Sequence, residues 1–191
     1  MDDRQLVLQL QNGSLSALGL LYDRHKNLVH RTAFAITGDD EAAADLLQDV
    51  FLRLYKFATH IDPARPLEPW LYRMTANQSY TWVKRSARLI RSIEDIAEWL
   101  VGTKKNTVSQ TVIQAEELQQ LQHAVARLPL AQRMVVVLYY LNDLSIQEIS
   151  EILEIPAGTV KSRLHYGREA LKSQLLSGQN DRLTDLKCEF T

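Results

Sequence analysis

LSIQEISEILEIPAGTVKSRLHYGREALK, residues 144–172, reads as two short helices with a break at Ile155-Pro156. Ser145-Ile-Gln-Glu148 has the form of a capping box, in which the Ser hydroxyl accepts from the backbone N–H three residues on and the Glu reaches back. Ile146, Ile149 and Leu153 give the first helix one apolar face. Pro156 suits the first turn of the second helix, where a missing N–H costs little. Two helices joined so tightly resemble a helix-turn-helix.

On a wheel of about 100° per residue, Val160, Leu164, Gly167 and Leu171 fall on the buried side of the second helix. Ser162 and Glu169 lie opposite, flanked by His165 and Tyr166. Lys161, Arg168 and Lys172 line one border and Arg163 the other. Cations at the edges suit phosphates, and polar groups between them suit base edges in a major groove. Charged helix faces are also common on bundles that bind nothing, so this face alone leaves both readings open.

A second surface is of a different kind. In WLYRMTANQSYTWVKR (70–85), Leu71, Met74, Gln78 and Trp82 share one side of a helix. Arg73, Asn77, Tyr80 and Lys84 share another, with Trp70 near its border. A stripe of cation, amide, aromatic and cation is poor core material. It suits single-stranded nucleic acid, whose bases stack on rings while the backbone follows the cations. The competing reading places Trp70, Tyr72 and Tyr80 in a core, and Trp82 is expected there. A third helix, DLLQDVFLRLYKF (45–57), is expected to bury Leu47, Val50, Leu54 and Phe57. Asp45, Gln48, Asp49, Leu52 and Lys56 then face outward, and an exposed leucine in a polar stripe hints at a protein partner.

Apolar residues make up 46% of the 191, Gly and Pro are sparse, and apolar positions recur three and four apart. The chain is therefore expected to be all-α, in two helical domains. The single cysteine, Cys188, excludes an intramolecular disulfide and fits a reducing compartment. No apolar run approaches the roughly 20 residues that span a bilayer, and the acidic start MDDRQ is unlike a signal peptide. A soluble, cytoplasmic protein without membrane insertion is expected. The net charge of −1 conceals a segregation. Residues 39–49 carry Asp39, Asp40, Glu41, Asp45 and Asp49 with no base, whereas 82–91 carry Lys84, Arg85, Arg88 and Arg91 with no acid. That suits an acidic face for protein and basic faces for nucleic acid.

Along the chain, residues 14–37 read as one or two helices, Gly38 as a break, and Asp39 or Asp40 as the cap of the next helix. Pro63, Pro66 and Pro69 punctuate a loop. The expected division is a domain at 1–90, a linker at 91–114, a helix-turn-helix domain at 115–175 and a polar, frayed tail at 176–191. Within the linker, Ile93, Ile96, Trp99 and Leu100 have the spacing of a short docked helix.

Taken in order, DLLQDVFLRLYK, WLYRMTANQSYTWVKR and the opening stretch resemble regions 2.2, 2.3–2.4 and 4.2 of bacterial RNA polymerase sigma factors of the extracytoplasmic-function (ECF) group. The resemblance covers about residues 14–90 and 115–175. It implies that Asp45, Gln48, Asp49, Leu52 and Arg53 dock on core RNA polymerase. It implies that Trp70, Arg73, Asn77, Tyr80 and Lys84 engage the single-stranded −10 element, with Asn77 where a flipped base is captured. Lys161, Ser162, Arg163, His165, Tyr166 and Arg168 would read the −35 element as duplex, and the linker would thread toward the polymerase active centre. The implied partners are core RNA polymerase, promoter DNA and an anti-sigma factor. Two departures stand out: Tyr166 occupies a position where the family often has a base, and Leu67 one where it has an aromatic residue.

Two other readings compete. A helix-turn-helix regulator acting without polymerase docking would need no stripe at 70–84. A metal enzyme finds little support: His25 and His30 are five apart, which is weak ligand spacing, and no phosphate loop, Cys/His pair or carboxylate cluster stands out. Neither catalytic residues nor a cofactor or metal is expected.

Overall fold

The structure is a computed structural model, which describes the backbone of residues 1–100 and 113–188 and the side chains of 1–87 and 120–176. It is all-α, with no strand among the described residues. The helices are α1 (Asp3–Gln11), α2 (Leu15–Thr37), α3 (Asp40–Lys56), α4 (Glu68–Leu100), α5 (Ile113–Arg127), α6 (Leu130–Val136), α7 (Ile146–Leu153) and α8 (Ala157–Cys188). A 3-10 turn at Ala58–His60 follows α3, and α6 runs into a π-helical segment at Val137–Leu141.

Local chemistry sets most of the boundaries. Gly38, at φ 74°, ends α2 in the left-handed region, which favours glycine. Asp39 then opens α3 by accepting from the Ala42 N–H at 2.9 Å. Helix α1 lay beyond the sequence reading, although its signals were present: Asp2 and Gln5 form a capping box, and Leu6, Val7 and Leu10 share its buried face. It is fastened at both ends. Gln11 donates to the carbonyls of Ala58 and Ile61 at 3.0 and 2.8 Å. Asp3 pairs with Arg24 and, at 2.7 Å, with the buried His25.

Two segments differ in secondary structure from the expectation. Residues 91–100, assigned above to the linker, continue α4 rather than starting a separate helix. The tail is likewise helical to Cys188, so the second helix of the opening stretch is long and not short. Extending an existing helix adds one hydrogen bond per residue fixed, and neither segment contains a proline to stop it. A fading apolar pattern is not by itself the end of a helix. Residues 102–111 lie outside those described.

The N-terminal unit packs α1 to α4 around Leu21, Val29, Val50, Leu54 and Leu71, all fully buried. Each such side chain contributes about 1.5–3 kcal/mol relative to exposure. The C-terminal unit packs α6, α7 and α8 around Val135, Leu138, Ile149, Val160 and Leu164. Here α6 approaches α8 so closely that a Cβ on Gly167 would stand 2.7 Å from Val136 Cγ2. Gly167→Ala is expected to lower stability by about 1–2 kcal/mol, the overpacking strain exceeding the gain in helix propensity. A higher melting temperature for that variant would show the contact to be slack.

The two units also pack on each other. Ile36 of α2 and Ala76 of α4 share one buried cluster with Met134 and Val137. Tyr72 of α4 is buried in the C-terminal core with Leu128 and Val135, and its hydroxyl pKa rises because burial disfavours the phenolate. Arg133 of α6 donates to the Ile36 carbonyl at 2.7 Å and also reaches the Ala126 and Leu128 carbonyls of its own unit. Burial of its guanidinium lowers its pKa.

Candidate nucleic-acid interface

The turn between α7 and α8 is built from a few hydrogen bonds. The Glu148 N–H donates to Ser145 Oγ at 3.2 Å, and the Ser145 N–H donates to Glu148 Oε2 at 2.8 Å, completing the capping box. These bonds to Ser145 hold the Glu148 carboxyl below its ordinary value. Their contribution is therefore present at neutral pH and fades as the pH falls through that depressed pKa. Glu154 ends α7 in the left-handed region at φ 52°. Ser150 Oγ donates to the Ile155 carbonyl at 2.6 Å, and Pro156 O accepts from the Thr159 and Val160 N–H groups, so α8 starts at once. Two successive stops and starts within four residues give the sharp corner of a helix-turn-helix.

This corner presents the face of α8 expected from the wheel. Val160, Leu164 and Gly167 are buried, and Lys161, Ser162, His165, Tyr166 and Arg168 are exposed, with Arg163 half-buried. Lys161 and Arg168 lie seven residues apart, close to two turns, on one edge. Tyr166 is 61% exposed and meets His165 edge to face at 5.4 Å between centroids. The Ser162 hydroxyl donates back to the Thr159 carbonyl at 3.0 Å, which leaves its lone pairs facing outward as acceptors.

On α4 the structure brings Arg73, Asn77, Tyr80 and Lys84 together on one exposed stripe, with Trp70 half-buried at its border. Lys84 Nζ lies 5.6 Å from the centre of the Tyr80 ring, a cation over a π face. Of the residues between, Thr75, Ala76 and Ser79 are buried. Trp82 is half-buried against Ala33, Ala43 and Leu46, as expected for a core residue. Tyr72 also goes to the core.

The outward stripe of α3 is exposed throughout: Asp45, Gln48, Asp49, Leu52, Arg53 and Lys56. Leu52 is 63% exposed, and Tyr55, one turn on, is 42% exposed. Tyr55 was missed, although its place three residues after Leu52 puts it on the same face. One expectation fails here. Phe57 is not buried but 37% exposed, lying against Lys56 and His60. It occupies the C-cap, where the backbone leaves helical geometry, and Ala58 takes the inner position. Phe51 is the aromatic that does enter the core, edge to face with Tyr22 at 5.0 Å. Arg53 is also tied inward, since Gln78 Oε1, in the amide orientation that satisfies both groups, accepts from its Nε at 2.8 Å.

The two histidines weighed as metal ligands serve separate carboxylates. His25 pairs with Asp3, and His30 stands 3.3 Å from Asp40. Glu68 lies near the first pair, the three ligand-type atoms falling within 4.8 Å of one another. Asp3 is already held there by both Arg24 and His25, which accounts for the set as the fastening of α1. Among the described residues, no helix is long and apolar enough to cross a membrane.

Comparison with known proteins bears on the same segments. The Sigma-70 region 2 family matches residues 21–89, and Sigma-70, region 4 matches residues 118–171. The chain is 30% identical over 183 residues to the ECF RNA polymerase sigma factor SigW of Bacillus subtilis, covering 90% of this chain and 96% of that one. It is 33% identical to SigL of Mycobacterium tuberculosis, covering 81% and 86%, and 27% identical to the ECF sigma-E factor of Escherichia coli, covering 92% and 95%. Among solved structures, CnrH in complex with the cytosolic domain of CnrY has the same fold, with a TM-score of 0.67 at 24% identity over 92% of this chain and 97% of that one. RpoE from Bartonella quintana, in complex with the anti-sigma factor NepR, gives 0.64 at 20% identity over 82% and 92%.

Proposed function

The chain belongs to the extracytoplasmic-function sigma factors of bacterial RNA polymerase, and we propose how the work of that family divides among its surfaces. A sigma factor of this group binds core RNA polymerase, directs it to specific promoters and helps melt the −10 element. It is a regulatory DNA-binding protein rather than an enzyme. In our assignment residues 1–90 dock on polymerase through Asp45, Gln48, Asp49, Leu52 and Arg53. They engage the single-stranded −10 element through Trp70, Arg73, Asn77, Tyr80 and Lys84. Residues 115–175 read the −35 duplex through Lys161, Ser162, Arg163, His165, Tyr166 and Arg168, and the chain between joins the two. The protein works in the cytoplasm, where polymerase is, and is held in check by an anti-sigma factor, as RpoE is bound by NepR in its complex.

The observation that carries this division is the exposed Arg73–Asn77–Tyr80–Lys84 stripe on one helix of a chain that also carries a helix-turn-helix. A regulator that reads only duplex has little use for it, since a ring stacks on a base face, and an amide meets a Watson–Crick edge, only when the base is unstacked. Run-off transcription with core polymerase on a panel of promoters tests the assignment. Transcripts that depend on the added chain are expected, and a chain that binds duplex without directing polymerase would overturn it.

Duplex reading makes a separate prediction. Lys161→Ala and Arg168→Ala remove cations on the edge of α8, so both are expected to weaken binding to every sequence alike and to lower the salt slope by about one each. Substituting Ser162 or His165 is expected to relax base preference, by about 1–3 kcal/mol per lost contact. Salt titrations on matched and mismatched duplexes separate the two patterns, and four variants with the same uniform loss would mean that this helix is not the reader.

A further inference from the structure

The fastening at the start of α1 is built from metal-ligand side chains, and one of them takes no part in it. Asp3 of α1, His25 of α2 and Glu68 of α4 each bring one ligand atom to within 4.8 Å of the others. Asp3 Oδ2 stands 2.7 Å from His25 Nε2, and the other Asp3 oxygen is held by Arg24. The Glu68 carboxylate, by contrast, accepts no hydrogen bond and joins no ion pair among the described residues. Its place in the first turn of α4 favours a negative charge but supplies no counter-ion.

Burial and donor chemistry narrow what fits beside it. His25 is 5% exposed and both carboxylates are half-buried, so the three donors converge beneath the surface. Imidazole nitrogen and carboxylate oxygen are donors that zinc takes, and three protein ligands leave a fourth position for water. Magnesium and calcium prefer oxygen alone, and a thiolate-seeking ion finds no sulfur in the set. A divalent ion also cancels the charge of two carboxylates beside a neutral ring. Donor atoms around a tetrahedral zinc lie about 3.3 Å apart. That spacing falls between the 2.7 Å of the Asp3–His25 pair and the 4.8 Å limit of the whole set, so side-chain shifts suffice to close the site. Arg24, bonded to the other oxygen of Asp3, then orients a ligand, as outer hydrogen bonds commonly do around a metal.

We propose that Asp3, His25 and Glu68 form a site for a divalent transition-metal ion of the zinc type. The ion ties α1, α2 and the start of α4 together, and the stability of the N-terminal unit responds to it. Glu68 lies two residues before Trp70, so the ion braces the end of α4 from which the cation-and-aromatic stripe begins. The site stands whether or not the promoter surfaces divide as assigned above.

Zinc alone is the probe. Full-length, untagged protein stripped with a chelator is titrated with Zn²⁺ and followed by calorimetry and by thermal unfolding. Equimolar binding is expected, with a melting temperature that rises with free zinc and does not move with Mg²⁺ at the same concentration. Glu68→Gln spares both bonds of Asp3, so without metal it should melt as wild type does, yet its zinc affinity should fall at least tenfold. His30→Ala and Cys188→Ser remove other metal donors and should bind zinc as wild type does. No binding by the wild-type chain, undiminished affinity in Glu68→Gln, loss of binding in His30→Ala or Cys188→Ser, or equal protection by Mg²⁺ would each overturn the proposal. Should Glu68→Gln not fold, X-ray absorption of the wild-type zinc protein decides. A single imidazole at about 2.0–2.1 Å with oxygens completing the shell is expected, and a sulfur neighbour or several imidazoles would place the ion elsewhere.

Discussion

Leu52→Glu is expected to leave helicity and melting within about 0.5 kcal/mol of wild type, yet to weaken binding to core polymerase by about 100-fold or more. The side chain is 63% exposed in the middle of α3, so the free protein loses no packing. Its neighbours on the face are Asp45, Gln48, Asp49 and Tyr55, all exposed. A leucine ringed by polar groups is the arrangement of an interface anchor, where one central apolar contact accounts for about 2–4 kcal/mol and its rim for little. The carboxylate would have to be desolvated on docking with nothing to pair it. Leu54→Glu makes the contrast, because Leu54 is fully buried two residues on, and that variant should fail to fold. Melting followed by circular dichroism and binding followed by anisotropy of labelled protein give the two readouts. Undiminished core affinity for folded Leu52→Glu would remove this face from the assignment.

The two faces and the helix-turn-helix were legible because each rests on helical periodicity within one segment. Ser145 and Glu148 announce the cap three residues apart, and Val160, Leu164 and Gly167 fall to the core as their spacing requires. Errors arose where local geometry departs from the repeat. Phe57 was placed inside by extending the wheel one residue beyond the last helical turn. Residues 91–100 were assigned to a linker holding a short separate helix, and the tail was read as frayed, because their apolar stripe fades, although a helix needs no stripe to continue once begun. What sequence could not show is contact between segments far apart in the chain. Nothing in WLYR says that Tyr72 will enter the core of the other unit or that Arg73 will meet Glu154, 81 residues later. Those contacts follow from how two finished units fit together.

Asn77→Ala is expected to separate opening from binding. Asn77 is exposed, while Thr75 and Ala76 before it are buried, so truncation leaves the packing of α4 intact and slightly favours the helix. Its amide can pair with the Watson–Crick edge of an unstacked base, an edge that the complementary base occupies within a duplex. Core binding, which we place on α3, and closed-complex formation, which we place largely on α8, should therefore stay at wild-type levels. Strand opening should fall by about 1–3 kcal/mol, the range for one lost base contact, or roughly fivefold to 150-fold in open complex. Permanganate reactivity of thymines in the bubble reads this directly. A template melted in advance should restore only part of the activity, because opening is then supplied while capture of the base is still missing. Full rescue on that template would assign Asn77 to the melting step alone. Wild-type permanganate reactivity on duplex promoters would mean that the stripe from Arg73 to Lys84 is a solvated helix face.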